Sequence, residues 1–153
     1  MKLGCMLMLL IFLSSVSFGA LTKPIDLLFK TCLRQSLQKS SPPDRDNARF
    51  VCFEKFPHTP FSTCLDEAKK MEYMSNAEEA MKNCYYSRPQ VWSARNCLDV
   101  AKKLHTALER DDMRLDCFSE FQAQGTQSTC SMIANSFEQT YYKERFKQVC
   151  QDN

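Results

Sequence analysis

Cysteines recur in this chain on a fixed beat. Cys32 and Cys52 stand 20 positions apart, and so do Cys64 and Cys84, Cys97 and Cys117, and Cys130 and Cys150. The steps between these pairs vary: 12 positions from Cys52 to Cys64, then 13 from Cys84 to Cys97 and 13 from Cys117 to Cys130. The chain is therefore four copies of one unit with a period of about 33 residues, the mark of stacked supersecondary units. A unit this short cannot bury both faces of its own elements. Stacking the copies supplies a shared core.

The ninth cysteine, Cys5, lies in a different kind of segment. Met1-Lys2 is followed by the apolar run Met6–Leu13 and then by Ser14, Ser15, Ser17, Gly19 and Ala20. A basic start, a short apolar core and a small-residue exit predict a secretory signal peptide over residues 1–19. Cleavage after Gly19 places small side chains at both critical sites, whereas cleavage after Ala20 would place Phe18 in one of them. The run is short for a bilayer span of about 20 residues. The mature chain, 153 − 19 = 134 residues, has the size of one domain. It keeps eight of the nine cysteines. An even count in an exported chain predicts a disulfide framework in an oxidising compartment, secreted or periplasmic. Metal binding is disfavoured, because the chain has no Cys-x-x-Cys pair and its two histidines, His58 and His105, are far apart in sequence. No metal or cofactor is expected.

The units read as helical hairpins. A lead-in over residues 20–31 carries Pro24 at a helix start, with Ile25, Leu28 and Phe29 at helical spacing. The repeats start at residues 32, 64, 97 and 130. Thr31, Thr63, Asn96 and Thr129 precede the first cysteines and are expected N-caps. Asp66 and Asp99 follow three residues after their caps. Four places after the cysteine stand the small residues Ser36, Ala68, Ala101 and Ala134; seven places after it stand Lys39, Met71, Leu104 and Phe137. These positions share a helical face. Expected breaks follow at Ser40–Asp44, at Ser75 (a capping box with Glu78), at Asp111 or Asp112, and at Thr140. Ala48, Ala80, Met113 and Phe146, with Phe53, Tyr85 and Phe118, mark the inner face of the second helices. These end in loops at Pro57–Pro60, Ser87–Pro89 and Gln124–Thr126. The fold class is all-α: four tandem hairpins in a short α-solenoid, or alternatively a closed helical bundle.

In a hairpin the start of the first helix lies beside the end of the second. This favours the bonds Cys32–Cys52, Cys64–Cys84, Cys97–Cys117 and Cys130–Cys150, each closing a loop of about 20 residues and contributing roughly 3 kcal/mol. The rival pairing crosses the loops, as Cys52–Cys64, Cys84–Cys97 and Cys117–Cys130. The constancy of the within-repeat spacing argues against it.

The tandem units Cys64-Leu65-Asp66-Glu67-Ala68 and Cys97-Leu98-Asp99-Val100-Ala101, each with a second cysteine about 20 residues on, resemble cysteine-rich helical-repeat exported proteins of predatory bacteria. The likeness runs from Cys32 onward. It implies a periplasmic or released interaction protein and supplies no reaction or functional residue.

Composition and motifs narrow the function. Losing Lys2 leaves 20 − 1 = 19 basic against 18 acidic side chains, so charge makes no case for nucleic acid. No nucleophile elbow, phosphate loop or His-x-x-x-His pair is present. His58 reads as a loop residue and His105 as a satisfied surface residue. The pairs Glu78-Glu79 and Asp111-Asp112 read as solvated or capping groups. Two features are candidate binding sites. Lys69, Lys70, Lys102 and Lys103 occupy equivalent places in repeats two and three and suit an acidic protein, a lipid headgroup or a polysaccharide. Tyr85, Tyr86, Arg88, Trp92 and Arg95 cluster between those repeats and have the residue types of binding hot spots. A helix-face role for the lysines and a core role for Trp92 are the plain alternatives. The expectation is a non-enzymatic protein-interaction module. An envelope- or lipid-binding protein using the lysine face is the alternative, and a cell-envelope hydrolase is less favoured.

Overall fold

The computed structural model describes residues 19–122 and 125–152, with side chains from Pro24 onward. Eight α-helices follow in order: α1 Gly19–Ser36, α2 Pro42–Lys55, α3 Phe61–Ala68, α4 Met74–Tyr86, α5 Ala94–Ala101, α6 Ala107–Phe121, α7 Gln127–Ser136 and α8 Thr140–Asp152. A 3₁₀ turn, Pro89–Val91, links α4 to α5. The helices pair as hairpins, α1 with α2, α3 with α4, α5 with α6 and α7 with α8, and the remaining close packing joins consecutive hairpins. The result is a stack of stapled hairpins. Residues 1–18 of the expected signal peptide, including Cys5, and Gln124 lie outside the described residues.

All four bonds join cysteines within one hairpin. The Cα separations are 5.8, 5.9, 5.8 and 5.7 Å from the first staple to the last. The staples are part of the core: Cys64, Cys97 and Cys117 are fully buried. The small residues four places after each first cysteine are buried too, Ala68, Ala101 and Ala134 completely. Their size lets the paired helix come close. Met71, Leu104 and Phe137 are also buried, but they sit past the helix ends, because α3 and α5 are only 8 residues long. Aromatic rings fill the two ends of the stack. Phe29 packs on Phe53 at 5.4 Å between centroids, and Phe118 packs on Phe146 at 4.3 Å.

Several expected helix boundaries move. The lead-in is not a separate turn of helix. It is continuous with the first helix of repeat one, so Pro24 lies inside α1 and Thr31 lies mid-helix, its hydroxyl donating to the Leu27 carbonyl. The other caps shift three residues upstream. Ser93 accepts from the Asn96 N–H and Thr126 from the Thr129 N–H, while Pro60 precedes α3. Asn96 and Thr129 are therefore the residues being capped. Ser75 does not cap α4, which starts at Met74 after Tyr73. The break in repeat three is at Thr106, not at Asp111 or Asp112. Thr106 and Glu109 form a full capping box there. Thr140 begins α8. Gly125 is needed for space: an added Cβ would come within 2.6 Å of the Phe121 carbonyl oxygen.

Candidate functional site

The structure separates the five residues of the aromatic cluster. Tyr85 is wholly buried and donates its hydroxyl to Glu120, and burial raises its pKa. Arg88 is only 1% exposed. Its guanidinium donates to the carbonyls of Pro57, Cys84 and Phe56 and to the Cys64 sulfur, tying the loop after hairpin two to the loop before it. Burial lowers its pKa. It stands where Phe56 and Phe121 stand in repeats one and three, so it is an interior residue and not part of an open surface. Trp92, in contrast, is 50% exposed and Tyr86 is 41% exposed. The Trp92 indole N–H donates to the Tyr85 carbonyl at 3.1 Å, and the Tyr86 hydroxyl donates to Asp116 at 3.1 Å. Both rings are thus held in place while half open to solvent. Arg95 is exposed on α5.

The lysine face is closer to neutral than its sequence implies. Lys70 pairs with Glu67 at 2.7 Å, Lys102 with Asp99 at 3.4 Å and Lys103 with Asp66 at 3.7 Å. Lys69 has no carboxylate within 4.0 Å among the described residues; it lies beside Lys103, whose ammonium lowers its pKa. Stacking the repeats does bring the two pairs together. Glu67 and Asp99 already stand beside Lys70 and Lys102 on their own helices, and stacking adds Asp66 beside Lys103, so the four lysines and three carboxylates leave a net charge of one.

Sequence reasoning overlooked a row of buried carboxylates. Asp46, Glu78 and Asp111 each stand six positions before the second cysteine of their repeat, near the start of the second helix. Each reaches forward to the turn of the next hairpin. Asp46 accepts from the N–H groups of Glu72 at 2.9 Å and Tyr73 at 3.0 Å, and from the Asn76 side chain at 3.0 Å. Asp111 accepts from Glu138 N–H and Gln139 N–H, both at 2.9 Å. Glu78 accepts from His105 N–H and meets the His105 ring Nδ1, both at 3.2 Å through one oxygen. A buried carboxylate needs such partners, because losing water without replacement is costly. Here the partners are backbone donors that the short helical turns leave unpaired. Glu78 and Asp111 had read as solvated or capping groups; they are the locks between repeats. The legible signal was an acid at the same repeat position in every copy.

Arginines reinforce two of these locks. In hairpin one, Arg45 pairs with Glu72 at 2.8 Å and Arg49 donates to the Lys70 carbonyl. In hairpin three, Arg110 grips Glu138 at 2.6 and 2.8 Å, and Arg114 bridges Asp111 at 2.6 Å and Glu138 at 3.0 Å. The pattern Arg-Asp-x-x-Arg is common to both. Arg110, with help from Arg114, holds the Glu138 carboxyl down at about 2. His105 is satisfied by Glu78, and His58 is exposed in its loop.

The chain matches no family model, and no characterised protein or solved structure is similar to it.

Proposed function

We infer that this chain is an exported protein-interaction module without catalytic activity. Its recognition edge is the loop joining hairpins two and three. The observation that carries the reading is the state of Trp92: half exposed, yet fixed by its indole hydrogen bond to Tyr85. A large aromatic held rigid at a surface binds with little loss of side-chain freedom, and Trp and Tyr dominate binding hot spots. Tyr86 on the same edge and Arg95 on α5 extend the surface. The four disulfides agree with an oxidising, extracytoplasmic setting.

Trp92 is the only tryptophan, so it reports on its own burial. Titrating the mature chain with proteins of its native extracytoplasmic compartment is expected to blue-shift its emission. Trp92→Ala is expected to abolish capture of the same partner while leaving the helical spectrum unchanged. Undiminished capture by Trp92→Ala would overturn the reading. Binding to an envelope lipid or polysaccharide through the lysine face is less well supported, since three of its four ammonium groups already pair with carboxylates.

A further inference from the structure

The rule that joins the hairpins leaves two complementary groups unused, one at each end of the stack. Repeat four has the same acid, Glu144, six positions before Cys150. It has the same basic flanks too: Lys143-Glu144-x-x-Lys147 matches Arg45-Asp46-x-x-Arg49 and Arg110-Asp111-x-x-Arg114 in position and charge. Even the internal pair is reproduced, Lys147 to Glu144 at 3.1 Å as Arg114 to Asp111 at 2.6 Å. Among the described residues, no further hairpin packs against this face. The Glu144 side chain is 65% exposed, and Lys143 makes no ion pair among the described residues.

At the other end, no described hairpin packs ahead of hairpin one. Its turn places Ser40 and Ser41 where hairpin two has Glu72 and Tyr73 and hairpin four has Glu138 and Gln139. Those four N–H groups are bound by the preceding acid. The N–H groups of Ser40 and Ser41 find no acceptor among the described residues.

We propose that the Lys143–Glu144–Lys147 face of α8 docks the Ser40–Ser41 turn of a second copy of this chain, head to tail. The contact continues the seam that the molecule already makes three times within itself. Glu144 accepts from the two serine N–H groups, and Asp44, one turn further on, meets the two lysines. An acid stands at that place in hairpin three as well, where Glu109 caps the turn at Thr106. A head-to-tail contact does not close on itself, so it produces a series of oligomers and not a fixed dimer.

Sedimentation velocity of the mature, oxidised chain at concentrations up to about 1 mM tests this. The expected result is a mass that climbs past the dimer with concentration. Glu144→Lys is expected to leave a monomer. Ser40→Glu restores the acid present in Glu72 and Glu138, and it is expected to tighten association about tenfold. Both sites are on the surface, so circular dichroism should be unchanged. Trp92→Ala is expected to associate like the unmodified chain, so failure of the proposed recognition edge and failure of this contact are told apart. A monomer at every concentration for both the unmodified chain and Ser40→Glu would overturn the proposal. So would an assembly that stops at the dimer, or one that Glu144→Lys leaves intact.

Discussion

The seam between hairpins three and four and the seam between hairpins two and three solve one problem with different strength. In the first, Asp111 uses both oxygens on two N–H groups, while Arg110 and Arg114 hold Glu138 from the partner turn. In the second, Glu78 uses one oxygen on His105, and among the described residues no arginine of hairpin two reaches across. Ala77 and Met81 occupy the arginine places there, both buried and apolar. The seam between hairpins one and two is of the first kind. The stack is therefore two clasped pairs joined by a simpler middle seam. A buried acid fixed by backbone donors aligns a neighbour, and a surrounding set of arginines makes that alignment hard to break.

The largest expected effect tests the clasp itself. Asp111→Ala removes the acid and leaves Arg114, 5% exposed, without its closest partner, together with two unpaired N–H groups. Breaking a buried pair of this kind costs about 3–5 kcal/mol, read from urea denaturation with the disulfides intact. Glu78→Ala removes a lock with no buried arginine behind it, and about 1–2 kcal/mol is expected by the same measurement. Equal costs for the two variants would break the distinction between the seams. Thr106→Ala takes away the capping box that shapes the turn entering the middle seam, and about 1 kcal/mol is expected. The smallest effect concerns acid. The Glu138 carboxyl is held near 2 by Arg110 and Arg114, below its ordinary value of about 4.3. A depressed folded-state pKa contributes stability that is complete above the ordinary value and disappears as pH falls through about 2. Glu138→Gln should flatten the acid limb of the stability curve between those limits. An acid limb unchanged by that substitution would show that the clasp draws nothing from this charge. Because Glu138 is partly exposed, the effect should shrink as salt is added.

The candidate surface was partly legible. The sequence pointed to the segment after hairpin two, and in the structure Trp92 there and Tyr86 at the end of α4 are partly exposed. It did not separate Arg88 from them, because only the approach of the Pro57 and Cys84 carbonyls makes an arginine there an interior group. The lysine doublets looked like a basic face for a similar reason: their carboxylate partners are mostly close in sequence, but Asp66 reaches Lys103 only once the hairpins stack.

By itself the sequence determined the four units and the all-helical hairpins, and it favoured the within-repeat cysteine pairing over a cross-loop rival. The units and hairpins rest on local propensity, and the preference for within-repeat bonds rests on a constant spacing that a hairpin brings to disulfide distance. The tertiary structure alone decided where the charges go. Asp46, Glu78 and Asp111 look like ordinary helix-surface acids until the next turn presents its unpaired N–H groups to them. The desolvation of a carboxylate and the donors that offset it come from two different repeats, and only packing brings them together.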